Sequence, residues 1–276
     1  MTMLANKRLA FVGAGAMAEA ILRGLLRREL AIPQQLIASD PLAERREYLA
    51  GELGIRTVAS NAEAVAEADL VILAVKPQVM AKALEQVAGH VPADALVLSI
   101  VTGVRLAVIR RALSIAALVR IMPNTPAQVG EGISVWTATP ETSAAQREMA
   151  RAIIGALGEE IYVEDEDYLD KATALSGSGP AYVFLFLEAL TDAGVHLGFS
   201  RAVAEKLALQ TVRGAAIYAQ QRGQHLAVLR NMVTSPGGTT AEALYELENG
   251  ALRAVVARAV WAAYRRAIAL GNEKDA

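Results

Sequence analysis

The stretch from Leu9 to Leu26 constrains the fold more than any other part of the chain. Leu9-Ala-Phe-Val12 is a short apolar run stopped at once by Gly13-Ala-Gly15, and Ile21, Leu22, Leu25 and Leu26 then recur at helical spacing. Strand, glycine turn and helix in direct succession put Gly13-x-Gly15-x-x-Ala18 where a βαβ unit carries a dinucleotide fingerprint. The glycines there make a tight turn and admit a pyrophosphate close to the backbone, while the helix start offers free N–H groups and the positive end of its dipole. A glycine turn with no ligand has the same local pattern, so the rest of the chain has to decide.

That first half repeats the theme. Leu36-Ile-Ala-Ser39 is the next apolar run, and a helix rich in Glu and Arg follows over about 42–53. Leu70-Val-Ile-Leu-Ala-Val75 and Leu96-Val-Leu-Ser-Ile-Val101 are continuous apolar runs, as strands buried on both faces are. Ile133-Ser-Val-Trp136 and Glu160-Ile-Tyr-Val163 read as later strands. Short strands alternating with helices mean βαβ units and a parallel sheet, so the fold class is α/β with a Rossmann-type domain over 1–163. After the acidic Glu164-Asp-Glu-Asp167 the strand signals stop. Helical patterns rich in Ala and Leu take over at 181–197, 200–222, 239–248 and 251–270, which makes 164–276 an all-helical domain.

Composition narrows the function. A chain of 276 residues suits two domains. Its 27 Lys and Arg against 29 Asp and Glu leave no basic excess for nucleic acid or an anionic membrane. The lack of cysteine excludes disulfides, thiolate metal sites and a cysteine nucleophile. His90, His196 and His225 are scattered without metal-ligand spacing, so no metal is expected and the three read as structural or exposed. The longest stretch free of Asp, Glu, Lys and Arg, 172–187, contains Ser-Gly-Ser-Gly-Pro and does not suit a membrane span. The N-terminus enters a strand-like run with no room for a cleavable signal, so a cytoplasmic location is expected.

The cofactor loop would be Gly13, Ala14, Gly15, Ala16 and Met17. The second strand ends at Ser39 and Asp40, beside the ribose in such a fold. A carboxylate there favours NAD, whereas Ser39 can donate to a phosphate. Arg45 and Arg46 lie one to two turns on, either near that phosphate or on a solvated helix face.

Four further strings go beyond these generic features: Ala74-Val-Lys-Pro77 at the end of the third apolar run, Arg120-Ile-Met-Pro-Asn-Thr-Pro126, Leu175-Ser-Gly-Ser-Gly-Pro-Ala-Tyr182, and Thr234-Ser-Pro-Gly-Gly-Thr-Thr240. Together they closely resemble the pyrroline-5-carboxylate reductases, over about Arg8 to Leu270. The resemblance implies a Rossmann domain followed by a helical dimerisation domain, and reduction of a cyclic imine by NADPH, with NADH usable. Within it Asn61 matches a residue near the adenosine ribose, or else caps a helix. Ala74, Val75, Lys76 and Pro77 would line the cofactor crevice, though Lys76 alone reads equally as a solvated side chain. Glu166 matches a residue near the substrate, or else is surface charge. Thr240 matches the residue beside the ring nitrogen. Three positions depart from the usual pattern: Ala16 stands where Asn is frequent, Asn231 where Asp is common, and Lys171 where a small residue is frequent.

The residues suit this chemistry on their own terms. Hydride addition to a protonated imine needs no nucleophile and no metal, only placement, a carboxylate anchor and a donor near nitrogen. Ser235, Gly237, Gly238, Thr239 and Thr240 lead into a helix with Thr239 three residues before Glu242, a capping-box spacing, and would bind the substrate carboxylate. Ser176-Gly-Ser-Gly-Pro180 is expected to be a second glycine turn opening a helix, with Ser176 as a catalytic residue beside Thr240. Competing functions are reduction of another cyclic imino acid, a hydroxy-acid dehydrogenase using Lys171 as its acid, and a non-catalytic nucleotide sensor. The stripe Val255, Val256, Ala259, Val260 and Ala263 is expected to pack against a partner helix in a homodimer, alone or within a larger oligomer of dimers.

Overall fold

The structure, a computed structural model, describes residues 3–275. Its strands are β1 (Leu9–Val12), β2 (Leu36–Ser39), β3 (Arg56–Val58), β4 (Leu70–Leu73), β5 (Leu96–Ser99), β6 (Leu118–Met122), β7 (Gly132–Ala138) and β8 (Gly158–Tyr162). They form one sheet in the order β3-β2-β1-β4-β5-β6-β7-β8. Every neighbouring pair is parallel except β6 with β7, which runs antiparallel. Only a 3₁₀ turn, Thr125–Val129, and its flanks join those two strands, and that is too short for the crossover a parallel pair requires. The expected strands are all present; β3 and β6 are additions to them.

Burial explains the continuous apolar runs. Leu9, Phe11, Leu70, Ile72 and Leu98 pack on one face of the sheet with Leu22 and Leu25 of α1 (Ala16–Arg27). Their neighbours Ala10, Val12, Val71, Leu73 and Val97 pack on the other face with Met80, Leu84 and Ile109. Helices α2 (Ala43–Leu53), α3 (Asn61–Val65), α4 (Met80–Val87), α5 (Leu106–Leu113) and α6 (Ala144–Gly155) complete the alternation. Fully burying one such Leu or Ile side chain is worth roughly 1.5–3 kcal/mol, so sandwiching the sheet on both faces stabilises the strands despite their short length.

The chain divides into two compact units, residues to 178 with 263 onward, and 179–262. The second unit holds α8 (Gly179–His196), α9 (Arg201–Arg222), α10 (Leu226–Met232), α11 (Thr239–Asn249) and the first part of α12 (Leu252–Asp275). At Gly194 a Cβ would stand 2.9 Å from that of Ala204, so α8 and α9 approach closely there. Across 179–262 the only buried residues are Thr191, Ala204 and Ala208. Among the described residues no helix is long and apolar enough to cross a membrane.

Candidate cofactor and substrate sites

The loop between β1 and α1 is built for an anion. Gly13 has φ +91°, and a Cβ on it would lie 2.8 Å from Val75 Cγ1 and 2.9 Å from the Ala74 carbonyl oxygen. Glycine is required there on both counts. Around Gly15, by contrast, an added Cβ would meet nothing within 4 Å, and no side chain caps α1. The first amides of α1, at Ala16 and Met17, have no intrahelical partner and face open space at the positive end of the dipole. The residues present therefore fit the pyrophosphate of a dinucleotide.

The ribose side is organised more tightly than the sequence suggests. Asp40 Oδ2 accepts from the Ala14 amide at 3.2 Å and Oδ1 from the Leu42 amide at 3.0 Å. Ser39 is fully buried, and its hydroxyl lies 3.1 Å from the Phe11 carbonyl and 2.6 Å from Asn61 Oδ1. The hydroxyl is thus fully buried and engaged by these two protein groups. Asn61 is not a helix cap: Ser60 caps α3 by accepting from the Glu63 amide, and Asn61 is tied to Ser39 and, through Nδ2, to Gln86. Neither arginine is a solvated side chain. Arg45 donates from Nε to the Ala14 carbonyl at 2.6 Å and pairs with Glu19 at 2.5 Å, while Arg46 donates to the Asp40 carbonyl at 2.8 Å. Burial alone would raise the Glu19 carboxyl, but hydrogen bonds from Arg45 and Arg23 outweigh it and hold it below its ordinary value.

Ala74 to Pro77 follow β4, the fourth strand in chain order, at its carboxyl end, where ligands bind in open α/β sheets. Ala74 donates to the Val12 carbonyl at 2.9 Å, which fixes this segment beside the glycine loop. Lys76 caps a short 3₁₀ turn opened by Pro77, and its side chain is exposed.

Glu166 does not sit in open surface charge. Its Oε1 accepts from Arg120 at 2.9 Å and from the Leu106 amide at the start of α5, also at 2.9 Å. Arg120 and Asp170 are buried and paired at 3.0 Å, and Arg105 joins Asp167 at 2.7 Å. The hydrogen bond to Asp167 raises the Arg105 pKa further above its ordinary value, against the effect of burial. After α7 (Asp167–Ala172), Thr173–Gly177 form a π-helical turn, with the Ser178 amide bonded to the Thr173 carbonyl at 2.8 Å. The expectation of a plain glycine turn is therefore corrected. The Ser176 hydroxyl donates to the Ala172 carbonyl at 3.0 Å, a backbone contact that spacing rules for loops do not reveal. π-turns of this kind recur at functional sites.

The Ser235–Gly238 segment is a turn closed by the Gly238 amide on the Ser235 carbonyl at 3.1 Å. Pro236 occupies the second position and Gly237, at φ +68°, the third, which is the type II pattern. Gly238, not Thr239, caps α11, and no side chain takes part. The expected capping box is absent because the helix begins one residue earlier, which puts Thr239 and Thr240 inside its first turn. Lys171 lies 3.8 Å over the Tyr168 ring, a position that gives no support to an acid role. His225 caps α10 by accepting from the Ala227 amide.

Sequence reasoning assigned no role to three residues of the Arg120–Pro126 string that the structure puts to use: Arg120, Met122 and Asn124. Their strand was hidden because an arginine interrupts it, and its partners lie 46 and 50 residues away.

Fold and cradle define a nicotinamide-dependent oxidoreductase with a helical C-terminal part. Residues 8–103 match the model for coenzyme F420-dependent NADP oxidoreductases, and residues 166–270 match that for pyrroline-5-carboxylate reductase dimerisation. The pyrroline-5-carboxylate reductase of Pseudomonas aeruginosa is 43% identical over 98% of this chain and 99% of that one, and the Arabidopsis thaliana enzyme is 38% identical over 94% of each. Among solved structures, the Coxiella burnetii enzyme superposes with a TM-score of 0.86 at 37% identity, covering 96% of this chain and 98% of that one. The Plasmodium falciparum enzyme with NADP bound gives 0.88 at 31%, with the same coverage. The chain belongs to the pyrroline-5-carboxylate reductase family.

Proposed function

We propose that the chain reduces L-1-pyrroline-5-carboxylate to L-proline, the last step of proline biosynthesis, with NADPH preferred and NADH accepted. The observation that carries this is the pair of uncapped amides, Ala16 and Met17, that open α1 beside the Gly13–Gly15 loop, in the same chain as the Ser235–Thr240 turn, within a family that spans both. Bound at the cradle, the reduced nicotinamide supplies the hydride. Ala16 and Met17 amides bind the pyrophosphate, and Asp40, Asn61 and Ala74–Pro77 line the remainder. The amides of Gly237 and Thr239 and the hydroxyls of Ser235 and Thr239 hold the substrate carboxylate, while Gly238, its own amide closing the turn, keeps the Ser235 hydroxyl uncrowded. As hydride reaches the iminium carbon, the electron pair of the C=N bond moves to nitrogen, where the Thr240 hydroxyl donates a hydrogen bond. Ser176 and Glu166 are the substrate-side residues of the first compact unit, Glu166 through Oε2, since Oε1 is engaged.

The NADP-bound relative supports NADPH. Asp40 works against it, because its charge would repel a 2′-phosphate. Homodimerisation is part of the same proposal. The matched dimerisation segment supports it, and so do Phe184, Leu185, Val255 and Val256, which stay exposed on helices with almost no core of their own. A monomeric mass by light scattering at micromolar concentration would contradict it. The function itself is tested by following NADPH oxidation on addition of pyrroline-5-carboxylate, with proline identified as product and the six-membered imino acid assayed alongside. No turnover with the five-membered ring would end the proposal.

A further inference from the structure

Arg120, Met122 and Asn124 alternate along β6 and its extension, so they project to one side of that strand. Each meets the segment from 166 to 177. Arg120 forks to Glu166 at 2.9 Å and Asp170 at 3.0 Å. Met122 lies so close to the π-turn that a Cβ on Gly177 would fall 2.5 Å from its Cε, and its sulfur accepts from Thr102 at 3.8 Å. Asn124 donates from Nδ2 to the Ser176 carbonyl at 3.2 Å and accepts from the Ile133 amide at 3.0 Å. One strand end thus grips the start of α7, its middle, and the turn that follows.

We infer that Arg120 and Asn124 are positioning residues for the substrate side of the reaction, setting the height and orientation of the Ser176-Gly177-Ser178 turn. The inference rests on the proposed substrate role of that turn. Three features support it. A π-turn is less regular than an α-helix and needs outside contacts to hold one geometry. A buried arginine is costly unless paired, and both carboxylates paired with Arg120 flank or lie within α7, so the pairs hold only if this segment sits in one place. Finally, β6 stands three strands from β1, roughly 14 Å along the sheet, so the grip acts well away from the glycine loop.

The test compares full-length Arg120→Gln, Arg120→Lys, Asn124→Ala and Ser176→Ala. For each, kcat and KM for pyrroline-5-carboxylate, NADPH affinity by fluorescence titration without substrate, and melting temperature are measured. Displacing reacting groups by about 1 Å costs on the order of 10²-fold. Arg120→Gln and Asn124→Ala are therefore expected to lower kcat/KM for the imine by 10- to 100-fold while NADPH affinity stays within twofold. Arg120→Lys, which keeps charge but loses the fork, is expected to fall between Gln and the parent. If Arg120→Gln does not fold, Asn124→Ala still decides, since among the described residues its side chain hydrogen-bonds to Ser176 and Ile133 and takes no part in the buried ion pairs. Parent kcat and KM in folded Asn124→Ala, alongside an impaired Ser176→Ala, would overturn the inference. Ser176→Ala at parent rates would instead remove the substrate role of the turn, and the inference with it.

Discussion

Replacing Thr240 by valine keeps the shape of the side chain and removes one hydroxyl. Two consequences can be separated because of where α11 starts. Gly238 caps the helix without any side chain, so Thr240 stands in the first turn and its hydroxyl satisfies no orphan amide. Had it been a cap, its loss would cost about 1 kcal/mol and lower the melting temperature by roughly 2–4 °C at this chain length. As placed, the substitution is expected to stay within about 0.5 kcal/mol of the parent. Turnover is different. A single preorganised donor aimed at a centre whose electron density grows in the transition state is worth roughly 10²–10³ in rate, or about 2.7–4 kcal/mol. Water entering the vacated position would push the loss toward the lower end. Because the bond strengthens toward the transition state, kcat and kcat/KM should fall together, with NADPH affinity unchanged. Steady-state kinetics of the reduction, beside a thermal melt, is the assay. Turnover at the parent rate would refute the catalytic assignment, and a lowered melting temperature would show that the hydroxyl serves the helix instead.

The cofactor half offers a matched pair. Gly13→Ala is expected to lose stability, by about 1–3 kcal/mol for the positive φ alone, because the Ala74 carbonyl cannot step aside. Gly15→Ala should melt like the parent yet bind NADPH at least tenfold more weakly, since the new methyl enters the open cradle; unchanged affinity would mean the pyrophosphate lies elsewhere. Asp40→Ser should raise the ratio of NADPH to NADH efficiencies by about tenfold, or about 1.4 kcal/mol, and an unmoved ratio would place that carboxylate away from the ribose. Glu19 contributes to the pH dependence of stability. Its folded pKa lies below the ordinary 4.5, so its contribution is complete above that value and is lost as pH falls through the folded pKa. The stability gap between parent and Glu19→Gln should therefore be flat above about pH 5.5, where the unfolded carboxyl is ionised, and shrink in acid; a gap unchanged down to pH 3 would contradict it.

Much of this protein was legible in its residues because the signals are local. A strand buried on both faces must be apolar throughout, and Leu70–Leu73 and Leu96–Ser99 announce themselves that way. A glycine turn between such a strand and an amphipathic helix has few other uses, and the Ser235–Gly238 turn follows from Pro and Gly standing where a type II turn requires them. The family strings, too, are contiguous.

What only the tertiary structure decided is which partner each polar group takes. Ser39 and Arg45 both looked available to a phosphate, and each is instead spent on Asn61, Phe11, Ala14 or Glu19. Glu166 reads as surface charge until β6 brings Arg120 beside it. Thr239 has capping-box spacing, but the turn before it starts the helix one residue early. Spacing along a chain reports on neighbours within a turn or two, whereas a hydrogen bond or a buried ion pair is chosen among all groups that packing brings within about 3 Å. The apolar pattern determined the sheet and its helices. The packing of that sheet then decided where each charge and hydroxyl could be satisfied.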